Sequence, residues 1–167
     1  LRDECGVLVN PGVEPPDAPA DCAEPPPGLR GLRRLSHVEY ANTIRAVLGV
    51  EFDAARAFTP DRAVHGFGNS AGALTVSALL ADQQHTAAEQ IATTMQIAQV
   101  AQCAASNACA RETIRDLGAR LFRRPLTTDE VTRYFDIYVI AAAESFDSGL
   151  RWATTAMLQS PHFLYRT

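Results

Sequence analysis

The side chains best suited to acid–base or metal chemistry are histidines, and the chain has four: His37, His65, His85 and His162. No two of them are three or four residues apart, so no helix would present a histidine pair to a metal ion. His65 is the best candidate for a ligand or general base, because it lies in the glycine-rich stretch "VHGFGN", which is typical of a loop. The simpler interpretation, which we favour, is a loop histidine that hydrogen-bonds to nearby backbone.

The same stretch makes Asn69 a second candidate site residue. "GFGN" lacks the G-x-G-x-x-G spacing of a phosphate-binding loop and follows no predicted strand. It is more typical of a tight turn in which glycine and asparagine adopt positive φ while Phe67 packs into the core.

Arg123 and Arg124 are the remaining candidates, and they stand just before Pro125, where a helix must end. Arginines at that position complement the helix dipole and cap terminal carbonyl groups. The alternative is an anion-binding role, which needs partners from elsewhere in the fold.

The sequence contains no other recognisable catalytic motif. "ATTAMLQS" lacks the G-x-S-x-G pattern of a nucleophilic serine, and the acidic residues are scattered rather than paired on one helix face. The sequence therefore predicts no self-contained catalytic site and leaves open whether the chain forms part of an enzyme.

The composition is that of a globular protein of one domain or two small ones. The 167 residues are 47% hydrophobic and 20% charged, with a net charge of −4 that gives no reason to expect nucleic-acid binding. No apolar run reaches the roughly 20 residues that a membrane-spanning helix needs. The first residue is leucine rather than methionine, so we expect a processed or trimmed chain.

The four cysteines form two local pairs, Cys5 with Cys22 and Cys103 with Cys109. Neither pair has the C-x-x-C spacing of a zinc or redox motif, and no C-x-x-C-H haem-attachment motif occurs. We predict two disulfides, in preference to free thiols, and therefore an exported protein.

The elements that must position these residues are helices. Residues 1–31 carry seven of the ten prolines and are predicted to be a linker or arm. Residues 32–167 are predicted to be an all-α domain of about five helices in an irregular orthogonal or bundle arrangement. The predicted helices cover 36–49, 75–101, 110–123, 127–143 and 148–159.

Capping signals and apolar spacing support these boundaries. Ser36 with Glu39, and Thr127 with Glu130, have capping-box spacing, and Pro161 is predicted to limit the last helix. Apolar stripes at helical spacing predict the buried faces. In the first two helices they comprise Val38, Ala41, Ile44, Val47 and Leu48, then Leu80, Ala87, Ile91, Met95 and Ala98.

Three phrases are distinctive: "LRRLSHVEYANTIRAVLGV", "LGARLFRRPLTTDEVTRYFDIY" and "TTAMLQSPHFLYR". Residues 32–74 resemble domains of the DUF1587 type, and residues 110–167 resemble the DUF1595 type. Both occur in large exported proteins of planctomycetes and myxobacteria. Gly68 stands where that family usually has aspartate, and His85 stands near a usual tyrosine.

The resemblance implies a module of a larger protein and does not indicate a catalytic mechanism. Such proteins often continue into DUF1592, DUF1588 and DUF1585 type domains and are associated with c-type cytochromes. No cofactor is expected in this chain, whereas haem is compatible with the wider assembly. The expected location is exported: periplasmic, associated with the outer membrane, or extracellular.

Three functional hypotheses follow. The first is a helical module that packs against downstream domains or a partner chain, with residues Pro161, His162, Phe163, Leu164, Tyr165 and Arg166 at the interface. The second is a subunit that contributes His65, Asn69, Arg123 or Arg124 to an oxidoreductase or, less favoured, a hydrolase site. The third is a cell-surface domain that binds a protein or glycan.

Overall fold

The computed structural model describes residues 32–62 and 70–166, which belong to one compact unit. The described residues contain eight helices and two short strands. The helices are α1 (His37–Leu48), α2 (Ala54–Ala57), α3 (Ala78–Thr94), α4 (Ile97–Val100), α5 (Asn107–Phe122), α6 (Thr128–Ala142), α7 (Phe146–Leu158) and α8 (Pro161–Leu164). The strands are β1 (Arg33–Arg34) and β2 (Tyr165–Arg166).

The all-α prediction is confirmed, but the predicted count of about five helices is too low. Five helices have 12 residues or more, and three further helices are single turns of four residues. Single turns such as α2 and α4 carry too few residues for an apolar periodicity, which is why the sequence did not reveal them.

The single helix predicted over 75–101 is divided in two. α3 ends at Thr94, Met95 has extended backbone angles, and α4 begins at Ile97. No proline or glycine lies at this break. Arg151 of α7 donates hydrogen bonds to the carbonyl oxygens of Ala92 and Met95, at 2.5 and 3.1 Å, so a side chain from another helix satisfies the groups that the break leaves open.

Two local predictions need correction. Val38 is 69% exposed, because α1 buries the line His37, Tyr40, Ile44 and Leu48 instead. Ala98 of α4 is exposed as well, since the helix break turns it outward.

Pro161 does not merely limit the preceding helix; it is the first residue of α8, a position that proline favours, and Ser160 caps that helix.

The core lies where α5, α6 and α7 pack together, with α3 against α7. At Gly149 of α7 the helices come so close that an added Cβ would lie 2.5 Å from the Tyr138 ring of α6. The disulfide between Cys103 and Cys109 is present, with an S–S distance of 2.03 Å, at the start of α5. The predicted pair of Cys5 and Cys22 lies outside the described residues.

The beginning and end of the described domain are joined. β1 and β2 pair antiparallel, with Arg33 opposite Arg166 and Arg34 opposite Tyr165. Behind this pair, the ring of Phe163 meets that of Tyr40 at a centroid distance of 5.3 Å. The C-terminal residues therefore complete the core around α1.

Candidate functional site at an arginine-rich basin

The candidate site is built on a seven-residue pattern, R-x-L-[ST]-x-x-E, that occurs twice. The first copy is "RRLSHVE" at residues 33–39, and the second is "RPLTTDE" at residues 124–130. Both capping boxes are formed as predicted, at the starts of α1 and α6.

In the first copy, Glu39 is the centre of the network. It accepts two hydrogen bonds from the Arg33 guanidinium, each 2.7 Å long, and one from the backbone N–H of Ser36 at 2.9 Å. These donors favour the ionised carboxylate, and the bonds from Arg33 contribute most, so the pKa of Glu39 is lowered to about 2.

The second copy repeats this geometry. Glu130 accepts hydrogen bonds from the Arg124 guanidinium at 2.8 and 2.6 Å and from the Thr127 backbone N–H at 2.8 Å. The bonds from Arg124 are again the largest cause of a pKa lowered to about 2. Two bidentate pairs therefore hold the N-termini of two helices.

Residues 161–166, which we call the C-terminal segment, contact both copies of the pattern. Arg166 lies 3.2 Å from Glu39, and the imidazole of His162 lies 3.4 Å from Glu130. Arg123 adds a third attachment, because its Nη2 donates to the carbonyl oxygens of Phe163 and Tyr165 at 2.8 and 3.0 Å. The segment thus meets the network at three points, of which those of Arg166 and Arg123 are hydrogen bonds.

Around these attachments the surface forms a concave basin of about 480 Å³, which we call the arginine basin. Its lining residues are Leu32, Phe122, Arg123, Arg124, Pro161, His162, Tyr165 and Arg166. The structure therefore brings the two candidate arginines together with four residues of the expected partner interface.

One residue of that expected interface is not accessible to a partner. Phe163 has no exposed surface and packs against Tyr40 in the core of this domain, so it is not available to a partner. The sequence alone could not show that α1 lies beside it. Pro161, His162 and Arg166 are exposed, whereas Leu164 and Tyr165 are partly exposed.

The basin network carries more positive than negative charge. Four guanidinium groups (Arg33, Arg123, Arg124 and Arg166) meet two carboxylates (Glu39 and Glu130). Arg123 pairs with carbonyl groups and with no carboxylate of the described residues. Burial, followed by the nearby charge of Arg166, lowers its pKa.

His65 and Asn69, the loop candidates, lie outside the described residues, as do Phe67 and Gly68. The structure therefore leaves the hypothesis of a site in that loop as a prediction. In the described ranges, 32–62 and 70–166, no group of three or more His, Cys, Asp or Glu residues could hold a metal ion.

No sequence pattern indicates the buried polar cluster that lies beside β1. Arg34, only 3% exposed, pairs with Asp61 across 27 positions of the chain, and Asp61 also accepts a 2.8 Å hydrogen bond from the His37 backbone N–H. The His37 imidazole approaches Asp61 to 3.1 Å without the alignment of a hydrogen bond. Burial is the main reason that the pKa of His37 is lowered.

No sequence pattern indicates a second concavity, which lies between α3, α6 and α7. It exposes Trp152 and Ile140, and His85 lies at its edge. The chain's single tryptophan could have revealed it, because Trp152 falls outside the apolar face of its helix and stands next to Arg151. That buried face consists of Leu150, Ala153, Met157 and Leu158.

Among the described residues, no helix has the length and apolar character required to cross a bilayer. The disulfide is compatible with an oxidising compartment.

Two family profiles match the chain. Residues 33–97 match PSD3, described as a protein of unknown function (DUF1587), and residues 109–167 match PSD5, described as a protein of unknown function (DUF1595). No curated protein and no solved structure matches the chain significantly. The matched ranges contain both copies of the R-x-L-[ST]-x-x-E pattern and the C-terminal segment. The resemblance is therefore confirmed: the chain contains a DUF1587-type segment at residues 33–97, followed by a DUF1595-type segment at residues 109–167.

Proposed function

We propose that the domain is an interaction module of a larger exported protein and that its arginine basin binds an acidic polypeptide segment of a partner. The observation that carries this proposal is the surplus of positive charge at the basin, in a chain whose net charge is −4. Such a local surplus favours a partner of opposite charge through electrostatic complementarity.

Arg123 and Arg166 are the groups that would meet the partner. Each places positive charge at the basin, and Arg123 bonds only to carbonyl oxygens within the described residues. A carboxylate supplied by the partner would compensate its charge. Leu32, which is 63% exposed, and Tyr165 add apolar surface beside the charges. Tyrosine and arginine are residue types enriched among interface anchors.

A binding role also fits the state of the basin carboxylates. A general acid needs a carboxyl group that holds a proton near neutral pH, whereas Glu39 and Glu130 have pKa values of about 2. Both hold helix termini through bidentate arginine pairs. These two carboxylates are therefore better suited to holding the helices than to transferring protons.

The test is fluorescence anisotropy with two labelled ten-residue peptides, one of glutamate and leucine and one in which every glutamate is replaced by glutamine. We expect the acidic peptide to bind, the glutamine peptide to bind at least tenfold more weakly, and added salt to weaken the acidic complex. Arg166→Ala should reduce affinity about fivefold, on the order of 1 kcal/mol.

Arg115→Ala is the matched control, because Arg115 is exposed on α5 and does not line the basin. Equal binding of both peptides, or equal affinity in the Arg166 and Arg115 variants, would contradict the proposal. Catalytic turnover by the purified chain alone would contradict the assignment as an interaction module.

A further inference from the structure

We propose that the groove between α3, α6 and α7 is a binding site for a neutral glycan. The groove has a volume of about 700 Å³, which lies in the range of about 300–1,000 Å³ that ligand sites occupy. This site is separate in its residues from the arginine basin and does not depend on the function proposed for the basin.

The apolar part of the groove suits the C–H faces of a sugar ring. Trp152 is 61% exposed and Ile140 is 73% exposed, and Ile137 continues this surface. The electron-rich face of an indole attracts the weakly positive C–H groups of a pyranose, in the way that it attracts the edges of other rings. Trp152 therefore provides a flat stacking platform.

The polar part provides partners for hydroxyl groups. His85 Nδ1 and Gln159 Oε1 are 2.8 Å apart, which fixes two planar side chains at one end of the groove. The carboxylate of Glu89 has no arginine partner among the described residues and lies 3.6 Å from His85. It therefore retains acceptor sites for a ligand.

Arg151 provides donors at the other end. Its Nη1 is held by carbonyl groups at the end of α3, which fixes the guanidinium plane. Its Nη2 and Nε donate no hydrogen bond within the described ranges. A guanidinium that is already oriented loses little entropy when it binds a hydroxyl oxygen.

Charge and polarity select the class of ligand. The charges of Glu89 and Arg151 balance each other, which favours a neutral ligand over an anionic one. Seven of the twelve lining residues carry polar groups, while most of the exposed groove surface is apolar. An apolar protein surface would desolvate these groups without hydrogen-bonding them, at a cost in free energy, whereas a saccharide offers many hydroxyl groups together with apolar ring faces.

Trp152 also allows a direct test, because it is the only tryptophan in the chain. The full chain would be titrated with cellohexaose, xylohexaose, mannohexaose and chitohexaose while tryptophan emission is recorded. We expect a saturable change with at least one of them. Calorimetry should then show at least a tenfold loss of affinity in Trp152→Ala and at least a threefold loss in Glu89→Ala.

Val38→Ala is the matched control, since Val38 is 69% exposed on α1 and does not line the groove; its affinity should equal that of the parent. Circular dichroism would verify that each variant folds. The proposal is overturned if no neutral oligosaccharide gives a saturable signal up to the millimolar range. It is also overturned if polygalacturonate or heparin binds more tightly than the neutral sugars, or if Trp152→Ala abolishes binding to a peptide array and not to a glycan.

Discussion

Arg166 of β2 lies 3.2 Å from Glu39 of α1, although 127 positions separate the two residues in the chain. The same carboxylate accepts hydrogen bonds from Arg33 and from the backbone of Ser36. A residue that caps a helix locally is therefore also the point at which the C-terminal segment is attached. Glu130, the second capping carboxylate, lies 3.4 Å from His162 of the same segment.

The two capping carboxylates should make the domain sensitive to acid. Their pKa values are about 2 in the folded protein, against an ordinary 4.5. A group whose pKa is lower in the folded state contributes stability that is complete above its unfolded pKa and is lost as the pH falls toward the folded value. We expect each carboxylate to contribute on the order of 1–2 kcal/mol, which is lost between about pH 5 and pH 2.

Urea unfolding at a series of pH values would measure this loss. Glu39→Gln and Glu130→Gln should each lower stability at neutral pH and reduce its fall in acid. Glu112→Gln, at an exposed position on α5, should leave the pH profile unchanged. Parallel profiles for all variants would show that the two bidentate pairs do not control acid stability.

Asp61→Ala should be strongly destabilising, because Arg34 would then be a buried charge without its carboxylate partner. We expect a loss of about 3–5 kcal/mol in the free energy of unfolding. Thermal unfolding followed by circular dichroism would measure it, with Asp136→Ala at an exposed position of α6 as the control. Similar melting temperatures for the two variants would refute a structural role for the pair.

Phe163→Ala and Tyr165→Ala should behave differently despite their proximity. Phe163 is fully buried, so its truncation should lower the free energy of unfolding by about 3–5 kcal/mol. Tyr165 is partly exposed in the basin, and its truncation should change stability by about 1 kcal/mol or less while weakening the binding of the acidic peptide. If Phe163→Ala were harmless, the segment could not form part of the core.

Gly149→Ala tests the close packing of α6 and α7. The new Cβ would lie 2.5 Å from the Tyr138 ring and 2.9 Å from its carbonyl oxygen, so the backbone must move. We expect a net loss of about 1–3 kcal/mol from overpacking, despite the better helix propensity of alanine. Gly72→Ala is the matched control, because its Cβ would meet nothing within 4 Å. Equal unfolding midpoints in urea would rule out this contact as a constraint.

Local sequence patterns predicted much of this domain because their causes are local. The spacing of Ser36 with Glu39 and of Thr127 with Glu130 identified two helix starts, and both capping boxes are formed. Apolar periodicity located four of the five long helices to within a few residues, whereas the helix predicted over 75–101 ends at Thr94. These features depend on interactions three or four residues apart, which a single sequence displays directly.

The sequence by itself determined the helical class, the two capping boxes and the family, since each is carried by short contiguous motifs. The tertiary structure decided the break at Met95, the pairing of Arg34 with Asp61 and the attachment of the C-terminal segment to Glu39 and Glu130. It also decided that Phe163 is core while Trp152 is exposed. Each of these outcomes depends on which helices become neighbours, and that is settled by packing between residues far apart in the chain.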